Sequence, residues 1–107
     1  MGYKTIFATA NADTNRNSDS IEFFTKGKTS MALQIVATGL NAADATVKVQ
    51  ESNDGANWVD VSGASITLAS GASYPVLSIT PRCRYNRYVY TKGTVSAGTF
   101  SGIVNFN

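Results

Sequence analysis

The chain has 107 residues, of which 43% are hydrophobic and only 15% charged, with a net charge of +2. That length suits one domain, residues 1–107, and the charge content is well below the roughly 25% of an average soluble protein. The absence of histidine removes the commonest general base, the triad base and a favoured zinc ligand together, and the single cysteine, Cys83, excludes an intramolecular disulfide and a thiolate cluster.

Residues 3–9, YKTIFAT, are β-formers and read as a first strand or an arm, and residues 11–20, NADTNRNSDS, are a polar stretch without periodicity. Residues 1–20 are therefore the part expected to leave the body and meet a neighbour. Residues 21–25 alternate Ile21, Phe23 and Thr25 against Glu22 and Phe24, and Lys26, Gly27 and Lys28 turn the chain. Residues 30–38 are the most apolar segment. Met31, Leu33 and Ile35 share one face there, which predicts a buried strand.

Residues 46–62, TVKVQESNDGANWVDVS, read as strand, tight turn, strand. Val47 and Val49 alternate with Lys48 and Gln50, and Val59 and Val61 repeat the pattern after the turn. Between them, Ser52, Asn53, Asp54 and Gly55 tolerate the backbone angles of a reversal. Trp58 is expected to anchor this hairpin against a second layer. Residues 65–69 place Ile66 and Leu68 on one face, residues 70–73 turn, and residues 74–80 bring Leu77 and Ile79 inward. Pro75 puts the start of that strand at an edge. Residues 85–92 set Tyr88 and Tyr90 on one side and Arg87, Val89 and Thr91 on the other. In the last strand, residues 99–106, Phe100, Gly102, Val104 and Phe106 are in phase, and Gly102 marks a bulge or a close contact.

About eight short strands at this spacing, without a convincing helix, predict an all-β fold. A two-sheet antiparallel β-sandwich of jelly-roll type is economical, because each strand has one apolar face and two such faces must meet.

Chemistry is sparse. The seven carboxylates (Asp13, Asp19, Glu22, Asp44, Glu51, Asp54 and Asp60) show no spacing that singles out a catalytic pair, so no enzyme activity is expected. Asn53, Asp54 and Gly55 with Asp60 lack the oxygen series of a calcium loop, and the glycines are spread one per turn. No metal and no cofactor are expected. Arg82, Arg84 and Arg87 are interleaved with Tyr85, Tyr88 and Tyr90, yet there is no RNP-type motif and no basic block, which argues against nucleic acid. Cys83 reads as structural. No apolar run reaches the roughly 18–20 residues of a membrane span, and no apolar leader follows Met1, so the protein is expected to be made in the cytoplasm and to stay soluble or be assembled into something there.

The run VKVQESNDGANWVDV, residues 47–61, resembles a hairpin of small β-sandwich structural proteins of bacterial viruses. It is also similar to the S-x-D-G-x-x-W hairpin of discoidin-like (galactose-binding-like) domains, and RYNRYVY, residues 84–90, resembles their late strand. The first resemblance implies a bacteriophage virion protein, a minor capsid, decoration or vertex protein that stabilises the shell. Its partners would be copies of itself, as a trimer or pentamer, and the major capsid protein. The interface residues expected are Tyr3, Phe7, Arg84, Arg87, Tyr88 and Tyr90. The alternative is a non-catalytic glycan-binding module of a phage tail or fibre, using Asn53, Asp54, Asn57 and Trp58.

Overall fold

Alternating sequence becomes ten strands in the computed structural model, which describes residues 2–22 and 30–106. They are β1 (Gly2–Asn11), β2 (Arg16–Asn17), β3 (Ile21–Glu22), β4 (Met31–Leu40), β5 (Thr46–Ser52), β6 (Val59–Thr67), β7 (Gly71–Ser73), β8 (Val76–Ile79), β9 (Tyr85–Thr91) and β10 (Thr99–Phe106). Phe23, Phe24 and Thr25 and the turn at Lys26, Gly27 and Lys28 lie outside the described residues. No helix occurs among the described residues, so none is long and apolar enough to cross a membrane.

The strands form two antiparallel sheets. Sheet A runs β1, β10, β4, with β7 and β8 both pairing on the far side of β4. Sheet B runs β9, β5, β6, with β2 and β3 both pairing on the near side of β9. Counting each split strand once, the first strand pairs with the last, the second with the next to last, and so inward to the β5–β6 hairpin. This nested pairing is the jelly-roll pattern.

Phase decides what is buried. Met31, Leu33, Ile35 and Ala37 of β4 turn inward while Gln34, Val36 and Thr38 face out. Val47 and Val49 of β5 and Tyr88 and Tyr90 of β9 supply the other half of the core. An aromatic chain bridges the sheets. Phe7 meets Phe100 edge-on at 5.3 Å, and Phe100 stacks on Tyr90 at 4.2 Å. Beneath them Gly102 leaves the room they need: a Cβ there would come within 3.0 Å of Ile35 and 3.2 Å of Phe7. The bulge predicted at this point lies opposite, in β1, where the register with β10 shifts on either side of Phe7.

The N-terminal segment that reads as strand or arm runs as β1, an edge strand with Ile6 and Phe7 in the core. The polar stretch after it is pinned to β9. Ser18 exchanges bonds with the Tyr88 backbone at 2.8 and 2.9 Å, and Asn15 Oδ1 accepts from Lys92 N at 2.9 Å.

Two boundaries differ from expectation. Residues 59–62 and 65–69 do not form separate strands; β6 joins most of them. Between its pairs Gln50–Asp60 and Lys48–Ser65, β6 advances five residues while β5 advances two, so the alternation breaks inside one strand. Residues 71–73, expected to turn, form β7 against Leu40 and Ala37.

Candidate functional site

The two outer faces of the sandwich differ in character. On sheet A, the row Thr5, Ile103, Gln34, Val76 crosses four strands. Its neighbours are the row Tyr3, Asn105, Ala32, Ser78 and the pair Ser101 and Val36. None of these side chains is charged. Lys4 is the one charged residue in the strands of this sheet, and it pairs with buried Val104, in the opposite phase. Tyr3 is 78% exposed, Val76 56%, Ile103 48% and Val36 43%, an apolar content that a free surface seldom gathers in one place.

Sheet B carries the charge. The ion pairs among the described residues lie on it or on loops leaving it: Lys48–Asp60 at 3.1 Å, Arg84–Glu22 at 3.1 Å, and Arg82–Glu51. Glu51 is in phase with Val47 and Val49, so its carboxylate is buried. Both Glu51 oxygens accept from Arg82 Nε at 3.0 Å, and these bonds hold the carboxyl below its ordinary range. Burial, then the bond to Glu51, pushes the Cys83 thiol up, away from the thiolate.

The turn of the central hairpin is closed by its own side chains. Ser52 Oγ accepts from Gly55 N at 2.9 Å, and Asp54 Oδ1 accepts from Asn57 N at 2.8 Å and Ala56 N at 2.9 Å. Asn57 Nδ2 donates to the second Asp54 oxygen at 2.6 Å. Backbone N–H groups of Asn57 and Ala56, then the side chains of Asn57 and Ser52, hold the Asp54 carboxyl well below the usual range. Gly55 takes the positive φ of 75° that completes the reversal. Asn53 Oδ1 accepts from Arg84 N at 3.0 Å. Asn53, Asp54 and Asn57 thus have polar groups committed to the loop.

Trp58 does not pack between the sheets. It stands two residues from Asp60, which pairs with outward-facing Gln50, so both point out of sheet B. Half-buried on that face, the indole lies 4.4 Å from the Arg87 guanidinium. Arg84 sits 5.1 Å from the Tyr85 ring, and Tyr85 in turn packs beneath Gly55. Asp60 accepts from Gln50 at 2.9 Å and Lys48 at 3.1 Å, bonds that lower its carboxyl in that order.

Four of the expected interface residues therefore need restating. Phe7, Tyr88 and Tyr90 are buried, Tyr88 and Tyr90 completely, and cannot touch a partner in the folded domain. The phase of β9 turns them inward with Asn86, leaving Tyr85, Arg87 and Val89 outside. Arg84 is exposed but engaged with Glu22. Tyr3 and Arg87 are accessible, on opposite faces. Val36, Val76 and Ile103 were missed by sequence reasoning. Their signal was the absence of charge throughout residues 30–40 and 99–106.

Among the described residues no group of three His, Cys, Asp or Glu is arranged to hold a metal ion. An open groove of about 430 Å³ runs between β1 and β2, lined by residues including Ile6, Phe7, Thr9, Asn15 and Arg16.

No protein-family description and no characterised protein matches the chain by sequence. Solved structures do match by shape. One is the PBSX exported protein XepA, with a TM-score of 0.74 and 14% identity over 99% of this chain and 37% of that one. Another, described as "CBM4 structure and function", gives a TM-score of 0.57 and 13% identity over 87% of this chain and 61% of that one. The chain thus spans less than two thirds of either, and at these identities what it shares with both is the β-sandwich fold.

Proposed function

We propose that this chain is a structural module of a bacteriophage particle, a minor capsid, decoration or vertex component without catalytic activity. It assembles as a trimer or pentamer and packs against copies of itself and the shell protein through the outer face of sheet A. The observation that carries this reading is the charge-free, apolar-studded face centred on Val36, Val76 and Ile103. Four strands spaced ~4.8 Å apart and ten residues of β4 at ~3.3 Å each outline a face of roughly 600 Å², close to the ~800 Å² per partner of a stable interface. The face has no ion pair to desolvate, and its polar side chains, Gln34 and Asn105 among them, would need hydrogen-bond partners across the interface. The phage origin of one structural neighbour supports the same reading.

Ile103→Lys and Val36→Lys test it. Both side chains point to solvent, so each variant keeps the fold while placing a charge in the interface. Loss of self-association with an unchanged circular dichroism spectrum is expected. Association equal to that of the parent protein would overturn the assignment of this face.

A second reading, a glycan-binding module of a tail or fibre, is favoured by the position of Trp58. Its indole is half-buried on the outer face of sheet B rather than in the core, beside Arg87. The carbohydrate-binding neighbour supports it.

A further inference from the structure

On sheet B, Gln50 lies between Arg87 and Asp60 in one cross-strand row. Its amide is held from both sides: Nε2 donates to Asp60 Oδ1 at 2.9 Å, and Oε1 accepts from Arg87 Nε at 2.8 Å. Lys48 Nζ donates to the other Asp60 oxygen at 3.1 Å, so the carboxylate is fixed as well. The guanidinium carbon lies over the Trp58 indole, 4.4 Å from the ring centre. Arg87 is therefore held in position by Gln50 and Trp58 together.

It is also uncompensated. Lys48, Arg82 and Arg84 each have a carboxylate, whereas among the described residues none lies within ion-pair distance of Arg87. Gln50 takes the Nε–H. The two terminal nitrogens remain as a planar fork of donors, the geometry that receives an oxyanion through two parallel bonds.

We infer that this fork binds the carboxylate of an acidic saccharide. The inference rests on the second reading above and gives it a ligand class. A polyphosphate chain needs several cations in a row, but on this outer face Lys48, Arg82 and Arg84 are each tied to a carboxylate, and only Arg87 of these four described residues is not. A single sugar carboxylate needs only one. Trp58, beside Arg87, is only half-buried and offers the exposed part of its ring to the sugar's CH groups. Ser65 in the adjoining row, and Thr46 and Thr67 one row further along, offer hydroxyl partners.

The test is an NMR titration with trigalacturonate and, in parallel, its methyl ester. The readouts are the indole N–H of Trp58, the single tryptophan, and the Nε–H of Arg87. The acid is expected to shift both signals saturably, the ester to bind at least 10-fold more weakly, and Arg87→Lys, which keeps the charge but loses the fork, to weaken the acid at least 10-fold. Equal binding of ester and acid would overturn the inference and leave the glycan reading standing. No saturable shift with either would overturn both.

Discussion

Tyr88 and Tyr90 stand two residues apart on β9, both fully buried and facing the same core, and replacing each by phenylalanine is expected to have opposite effects. The Tyr90 hydroxyl donates to the Ala12 carbonyl at 2.8 Å, tying the loop after β1 to sheet B. The Tyr88 hydroxyl meets no hydrogen-bond partner among the described residues, and burial pushes its pKa upward. Tyr90→Phe removes a buried hydrogen bond and strands a carbonyl, a loss of ~1–2 kcal/mol. Tyr88→Phe removes a hydroxyl whose unpaired burial costs ~1–3 kcal/mol, and it leaves no partner behind, so a gain of about 1 kcal/mol is expected. With a urea slope of roughly 1.5 kcal/mol/M, the midpoint should rise by about 0.7 M for Tyr88→Phe and fall by about 1 M for Tyr90→Phe, the slope staying constant. Urea unfolding followed by far-UV circular dichroism reads both. A fall of similar size in the two variants would refute the distinction between a paired and an unpaired hydroxyl.

Trp58→Ala should cost only ~1–2 kcal/mol, since the ring is half-buried on an outer face and its main partner is a guanidinium; a loss of ~4 kcal/mol in urea unfolding would place it in the core after all. Gly98→Ala should destabilise by ~2 kcal/mol or more, because the residue has φ 103° and its Cβ would lie 2.7 Å from the Thr38 carbonyl oxygen. Gly63→Ala, at φ 75° with open space around it, should cost about half as much, and equal losses would show that the close approach does not matter. The carboxyl groups of Asp44, Glu51, Asp54 and Asp60 are all lowered in the folded chain. The unfolded chain therefore binds more protons in acid. The stabilisation from these groups is complete above their unfolded values of about 4 and fades as pH falls through the lower folded ones. The urea midpoint should hold from pH 7 to pH 5 and drop towards pH 3; a flat profile would contradict these hydrogen bonds.

Much of the fold was legible because alternation is a direct consequence of the pleat. Met31, Leu33 and Ile35 announce β4, and Val47 and Val49 with the Ser52–Gly55 turn announce the hairpin. The break in β6 was not legible, since the extra residues between Asp60 and Ser65 shift the phase and make one strand look like two. Nor was β7, whose Gly71, Ala72 and Ser73 have no strand preference and pair only because Leu40 and Ala37 offer an edge. In β9 the two faces were visible but their direction was not: aromatic rings suit a core as well as an interface, and the large Tyr88 and Tyr90 rings fill the space between the sheets. The outward direction of Trp58 could have been taken from Asp60, its charged companion two residues along. The charge-free face of sheet A depends on β4 and β10 lying side by side, and that pairing is a property of topology rather than of either strand.

The central claim is that the face bearing Val36, Val76 and Ile103 is covered by another copy of the chain. Native mass measured by sedimentation across a concentration series, from micromolar to millimolar, tests it most directly. The account predicts a closed species of three or five times 11.3 kDa that persists on dilution. A species of 11.3 kDa at every concentration would contradict it.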